Sequence, residues 1–420
     1  MSPFFKHTWS RWVPQLNRQL WILFAGRLLS QIGTGFTLFY VMIFFVNQVG
    51  LSATEVGIGL GSASISGVAG RILGGSLSDL PFWGRRRTLL LATGISGVGS
   101  LGLAFAYNLA SFVTANLIMG LGIGFYWPAA EASVADLTTP KQRNEAYALN
   151  RLGDSLGLGL GVVLAGMLIE ATGAYRTLFI IDAASFFVFF GVIYSRFPEP
   201  LVFSKTHLGV LNGWITVLSD RHMLIYTLVN IMFTTYIYQI HSTTPLYLSN
   251  FAGGIAGDTV KGFSSSTIST LFTWHIVLAA LCQLPVARAL NRFSRTQALT
   301  LSALAWAVGF ILIWGVGVAP TAHLVLAVLG LGVLAIAMIS YLPAASTLVV
   351  ELAPDSLRGV YLSINSLCWA TGAFIGPSLG GFVLDQPRPL ADTLWPALAV
   401  SVGIAVLILQ YLGRTLSTRV

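Results

Sequence analysis

Charged side chains are scarce: Asp, Glu, Lys and Arg make up 9% of the 420 residues. A soluble domain carries roughly a quarter, so this chain has too few ions to cover a water-facing surface. Cysteine is nearly absent. Cys282 and Cys368 both sit in apolar runs, which leaves no disulfide framework and no cysteine metal site. The six histidines are scattered, so no metal is expected. The phosphate-cradling G-x-x-x-x-G-K-[ST] is missing, so direct use of ATP is not expected, and neither is any cofactor. The H-E-x-x-H of zinc proteases is missing too. Gly97, Gly99 and Gly102 spell G-x-G-x-x-G, but inside an apolar run with no strand before it. That reads as helix packing rather than a dinucleotide site.

Apolar residues are plentiful, at 55% of the chain with a mean hydropathy of +0.78. Forty-four glycines and 16 prolines would weaken soluble helices but are tolerated in membrane ones. The expected class is an all-α polytopic membrane protein with the lipid bilayer as its surroundings. The net charge of +8 is then a matter of distribution, and no nucleic-acid partner is expected. The first 18 residues are polar, with Lys6, Arg11 and Arg18. The apolar run that follows is too long for a cleavable leader and reads as a permanent span.

About 20 residues are needed to cross the hydrocarbon core. Twelve runs qualify: 19–48, 54–79, 88–107, 110–136, 146–171, 174–195, 222–250, 264–290, 296–317, 321–351, 358–385 and 392–413. The longest polar stretch, 196–221, separates a first bundle (19–195) from a second (222–413), and could hold an amphipathic helix near Leu208 to Leu218. Residues 1–18 and 414–420 are the terminal segments. With the N-terminus in the cytoplasm, 17 of the 23 Lys and Arg fall on that side and three outside, while Arg27, Arg71 and Arg151 lie within spans. That asymmetry predicts an inner-membrane protein with both termini cytoplasmic.

The chain also repeats itself. Residues 126–170 align without a gap on 341–385, at a constant offset of 215, with 13 identities in 45 positions, where chance gives about three. Pro128/Pro343, Arg143/Arg358, Gly157/Gly372, Gly161/Gly376 and Gly166/Gly381 match, and Asp136/Glu351 and Glu170/Asp385 keep their charge. The offset is near half the chain, as for one ancestral half written twice.

Between spans two and three the chain reads Gly75-Ser-Leu-Ser-Asp79-Leu-Pro-Phe-Trp-Gly84-Arg85-Arg86-Arg87. This resembles the G-x-L-x-D-R-x-G-R-R loop of the major facilitator superfamily, with two extra residues before Gly84 and Leu80 where a basic residue is usual. Asn291-Arg292-Phe293-Ser294-Arg295 is a weaker echo between spans eight and nine. Gly372-x-x-x-Gly376-Pro377-x-x-Gly380-Gly381 is similar to a helix-packing pattern of that superfamily's antiporters; span five lacks the corresponding proline. The stretch from Tyr238 to Tyr247 resembles span seven of multidrug-exporter-like members. The resemblance implies the major facilitator fold, two pseudo-symmetric six-helix bundles, with spans one, four, seven and ten around a central cavity. It also implies a cytoplasmic latch at Asp79 and Arg85 to Arg87. Asn116 stands where many exporters place an Arg.

An ionisable group in mid-membrane costs about 2.5–3.5 kcal/mol on insertion scales and is a functional candidate by default. Arg27, Gln31 and Thr34 share one face of span one; Asn116, Trp127 and Glu131 share a stripe of span four. Arg151 and Asp154 are three apart on span five. Proton-coupling candidates are therefore Asp154 first, then Glu131, with Arg27 and Arg151 as counter-charges and Asp182 as a further buried acid. The plainer alternative is that these pairs satisfy one another and hold the first bundle together, and that Arg151 snorkels. The second bundle is poor in acids. It offers Tyr238, Gln239, His241, His275, Asn365 and Trp369 as neutral or aromatic cavity candidates, the histidines being equally readable as packing residues. The leading expectation is a monomeric secondary transporter, not an enzyme, exporting small amphipathic molecules against protons. Symport of a sugar or organic acid, lipid flipping, and an integral-membrane transferase stay open as alternatives.

Overall fold

The computed structural model describes residues 17–80, 82–139, 142–197, 210–252, 262–290, 292–354 and 357–417. Among these, twelve helices are long and apolar enough to cross a membrane, and no strand occurs. They are α1 (Arg18–Leu38), α2 (Ala53–Asp79), α3 (Gly84–Ala104), α4 (Leu109–Asp136), α5 (Arg143–Thr172), α6 (Tyr175–Arg196), α7 (Arg221–His241), α8 (Ser265–Leu290), α9 (Arg295–Val318), α10 (His323–Leu352), α11 (Arg358–Leu384) and α12 (Leu394–Ser417). In lipid every backbone amide needs an internal partner, which an α-helix supplies. Several helix starts are closed by side chains. Ser52 with Glu55, Asn108 with Ser111 and Ser294 with Gln297 form reciprocal caps on α2, α4 and α9.

Two spans are interrupted. The first continues past α1 through a short helix, Val41–Phe44, and one wider π-helical turn, Phe45–Val49. Gly50 then ends it at φ +84°, a left-handed conformation that only glycine adopts at no cost. The seventh span, expected as one run over 222–250, stops at His241 and restarts as Thr243–Asn250. Pro245 has no N–H to bond the His241 carbonyl and its ring crowds it. Hydroxyls bond carbonyls around the break: Ser242 Oγ donates to Tyr238 O at 2.7 Å and Thr244 Oγ1 to Gln239 O at 2.9 Å.

The helices form two bundles. In the first, α1 packs on α5 and α6, and α4 on α2 and α3; in the second, α7 packs on α11, and α10 on α8 and α9. The bundles meet along α2–α11 and α5–α8. A helix at Val210–Ser219, in the stretch between the bundles, rests on α7 and α11. Twelve crossings bring Arg18 and Ser417 to the same side, here the terminal face, with Asp385 on the opposite face.

The sequence repeat is visible in the packing. Pro128 is the twentieth residue of α4 and Pro343 the twenty-first of α10. A Cβ on Gly157 would lie 2.6 Å from the Leu28 carbonyl of α1, and one on Gly372 2.6 Å from the Thr234 carbonyl carbon of α7. Gly161 and Gly376 likewise seat α5 on α1 and α11 on α7. Gly166 meets Ser269 of α8, and Gly381 meets Ala53 of α2, so this third pair serves the inter-bundle seams. Small residues allow such backbone approach in lipid, where dispersion rather than water drives helix contact. The charge-preserving pair behaves the same way. Arg85 Nε binds Asp136 Oδ2 at 3.1 Å across α3 and α4, and Arg295 Nε binds Glu351 Oε1 at 3.1 Å across α9 and α10.

Candidate substrate and coupling site

The first bundle holds a buried ion pair that joins α1 to α5. Arg27 meets Asp154 through two hydrogen bonds, Nε to Oδ1 and Nη2 to Oδ2, the second at 2.6 Å. Gln31, one turn along α1, donates to Asp154 Oδ1 at 3.2 Å. The Arg27 guanidinium lies 4.7 Å from the ring centroid of Trp127 and 5.8 Å from that of Tyr126, both on α4. The Arg27 side chain is 8% exposed and that of Asp154 23%, so the carboxylate is the more exposed half of the pair. A two-pronged pairing fixes Asp154 in place, and the aromatic faces hold the cation from the other side.

A cavity of about 180 Å³ adjoins the pair. It is lined by Arg27, Gln31 and Thr34 of α1, Thr93 and Ser96 of α3, Tyr126 and Trp127 of α4, and by α6. The Tyr126 hydroxyl is buried there with no hydrogen-bond partner. Tyr126 opens the repeated stretch, and its counterpart Tyr341 donates to Asn230 Oδ1. Asn230 Nδ2 in turn donates to Asn365 Oδ1 at 2.8 Å. The α7–α11 seam thus carries a neutral amide pair where the α1–α5 seam carries Arg27–Asp154. Tyr126 and Tyr341 were not singled out in the sequence, although their identity across the repeat was the available signal.

Most other candidates lie elsewhere or bond within their own helix. Asn116 is buried and donates to Phe112 O of its own helix at 2.9 Å. Thr34 does the same to Ser30 O at 3.1 Å. Glu131 is exposed on α4, one turn from Trp127. Asp182 is buried away from the pair, taking 2.7 Å from Ser100 Oγ, with its Oδ1 unpartnered. In the second bundle Trp369 stands edge-on to Tyr238 at 6.5 Å, and His241 edge-on to Tyr238 at 6.3 Å and to Phe39 at 5.6 Å. Gln239 donates to Gly376 O at 3.0 Å, and His275 Nδ1 meets Leu331 O at 2.9 Å; both are core-facing. Pro377 and Gly380 sit inside α11 against α2 and α7.

In the signature loop, Gly75 lies near Pro128, and Gly84 turns the chain at φ +76°. Arg85 also donates to Ser78 Oγ at 2.9 Å, Arg86 to Tyr194 O at 2.6 Å, and Arg87 to Phe82 O. These bonds all stay within the first bundle. The side chains of Asp79 and Arg151 lie outside the described residues. Gly153 to Gly157 spells G-x-S-x-G, but in the middle of α5, not at the strand-to-helix elbow a serine nucleophile requires.

Cross-bundle hydrogen bonds among the described residues gather toward the opposite face. Asn47 pairs with Asn250 at 2.9 and 3.0 Å, Tyr175 with Ser265 at 2.8 Å, and Ser269 donates to Val162 O at 2.7 Å. Asp385 accepts from the amides of Ala53 at 2.8 Å and Thr54 at 2.7 Å, and from the Thr54 hydroxyl. The one nearest the terminal face joins Arg71 to Ser366.

Comparison with known proteins agrees with this architecture. Residues 23–257 and 250–416 match the sequence model of the Major Facilitator Superfamily, and the chain belongs to that superfamily. It is 24% identical over 391 residues to the multidrug resistance protein MdtH of Aeromonas salmonicida, covering 93% of this chain and 94% of that one. It is also 24% identical over 406 residues to the uncharacterized transporter YttB of Bacillus subtilis, covering 93% and 95%. The crystal structure of the nucleoside transporter NupG superposes with a TM-score of 0.77 at 15% identity, covering 94% and 99%. At that identity the likeness speaks for the fold alone.

Proposed function

We propose that this superfamily member exports small amphipathic compounds in exchange for protons, by alternating access of its two bundles, 19–195 and 222–413. Asp154 is the proton-carrying group and Arg27 its counter-charge. The observation that carries this reading is the two-pronged Arg27–Asp154 pair, buried in a span and roofed by Trp127. A carboxylate in a membrane interior is either paired or protonated. Asp154 can alternate between these states. When Asp154 takes a proton from the outer side the pair is discharged, the cavity beside it rearranges and bound substrate is released. Loss of that proton toward the cytoplasmic side restores the Arg27–Asp154 pair and the substrate-receptive cavity, so proton and substrate occupy the protein alternately. Glu131 is placed on the same stripe to pass protons toward the terminal face. The multidrug relative supports an amphipathic cargo, and the arginine asymmetry supports an inner-membrane orientation with the terminal face cytoplasmic. A monomer suffices, because each element of this cycle lies in one chain.

The test is transport in proteoliposomes with an imposed pH gradient and a panel of amphipathic compounds. Asp154→Asn is expected to abolish gradient-driven accumulation while downhill exchange of the same compound persists. Accumulation at the wild-type rate in Asp154→Asn would remove Asp154 from the coupling path.

A further inference from the structure

Arg71 is a span-embedded charge that this transport reading leaves unused. It lies in α2, is half-buried, and donates Nη1 to Ser366 Oγ of α11 in the other bundle. Arg27, Arg85, Arg295 and Arg388 each have a carboxylate partner. Arg71 has none among the described residues. A guanidinium presents five N–H donors in a planar fork, and only one is engaged here. The others are not sealed, since Arg71 has no buried atom lacking a partner. An unpaired cation at membrane depth is costly and marks a site that expects a charge.

Its surroundings say which kind of molecule would bring that charge. Tyr238 stands edge-on to Trp369, which is three residues along α11 from Ser366 and itself 6.4 Å from the Tyr341 ring. The Arg71 fork of α2 therefore reaches α11 one turn from the aromatic pair that Trp369 makes with Tyr238 of α7. A carboxylate or sulfonate matches the fork two-pronged, and a flat ring fits beside Trp369 and Tyr238.

We propose that Arg71 docks the anionic group of an aromatic substrate of the carboxylate or sulfonate class, with Trp369 and Tyr238 holding its ring. This names the substrate class of the transport reading and rests on it. It also suits export, because an anion leaving an inside-negative compartment moves with the membrane potential.

The experiment uses the full-length protein in lipid nanodiscs and three probes with one ring: 1-naphthoate, neutral 1-naphthamide and cationic 1-naphthylmethylammonium. Binding is read from tryptophan fluorescence. Wild type is expected to bind 1-naphthoate at least tenfold more tightly than either analogue, about 1.4 kcal/mol. Arg71→Gln brings that preference within threefold while leaving 1-naphthamide binding in place. Arg71→Lys, which keeps the charge and loses the fork, is intermediate and remains informative if Arg71→Gln does not fold. Equal binding of the three probes by wild type overturns the proposal, as does a tenfold preference that survives in Arg71→Gln. The two readings fail separately. Proton-driven transport of the cationic probe, indifferent to Arg71→Gln, would keep the exporter and remove the anion site. Arg71-dependent binding of 1-naphthoate without proton-driven movement would keep the site and remove the coupling.

Discussion

Taking Arg27 and Asp154 out of water is costly, and their contact repays it only while both partners are present. Truncating one partner of such a pair costs about 3–5 kcal/mol, and replacing both with apolar groups is often neutral. Arg27→Met is therefore expected to lower thermal stability in detergent by about that amount, with Arg27→Met/Asp154→Leu recovering most of it. Transport separates the roles: the double variant should be folded and unable to accumulate substrate against a gradient. A folded double variant that still accumulates substrate would make the pair a structural clamp. Both residues were legible as candidates because a charge stands out in an apolar run. Their pairing was not, because Arg151 and Glu131 competed for the same partners by spacing. The 127 residues between Arg27 and Asp154 carry no local signal that α1 packs on α5. The aromatic cradle was half legible, Trp127 through its stripe and Tyr126 only through the repeat.

At the scale of the helices, the offset of 215 residues works as a packing rule. Gly161 and Gly376 seat equivalent helices, α5 on α1 and α11 on α7, so that a side chain at either must displace backbone. Overpacking of this kind costs about 1–3 kcal/mol. Gly161→Val and Gly376→Val are each expected to lower the melting temperature in detergent, and by similar amounts. Val at Gly403, where the surroundings are open, is the control and should change little. A large loss at one glycine and none at its counterpart would mean that the halves no longer share this contact. Span existence was readable because length and hydropathy are sufficient in lipid. The interruption at Ser242 was not placed, because hydropathy continues through it while the hydrogen-bond ladder does not. The salt bridges Arg85–Asp136 and Arg295–Glu351 explain why the repeat keeps an acid at the ends of α4 and α10.

For the molecule as a whole, the state described is closed at the opposite face, and one residue gathers several of the bonds that close it. The start of α2 needs partners for its first amides. Ser52 satisfies Glu55 N at 3.1 Å within the same bundle. Ala53 N and Thr54 N are satisfied by Asp385 at the end of α11, in the other bundle. A carboxylate at a helix N-terminus also gains from the helix dipole. Opening this face must break these bonds and hand both amides to water, so Asp385 weights the equilibrium toward the closed arrangement. Charge-assisted bonds contribute about 1.5–3 kcal/mol each, and not additively, so Asp385→Ala should raise the open population by roughly tenfold or more. The reporter is Phe39→Cys, with Cys282 and Cys368 replaced by Ala. Phe39 is 1% exposed and stacks on Phe272 of the other bundle at 4.3 Å, so a thiol there is reached only when the face opens. An impermeant maleimide applied to whole cells should label Phe39→Cys several-fold faster with Asp385→Ala than with Asp385 present. A rise seen only in inverted vesicles would reverse the orientation and keep the lock. No rise from either side would reduce Asp385 to a helix cap, and the closing of this face would then rest on the cross-bundle bonds of Asn47, Tyr175 and Ser269.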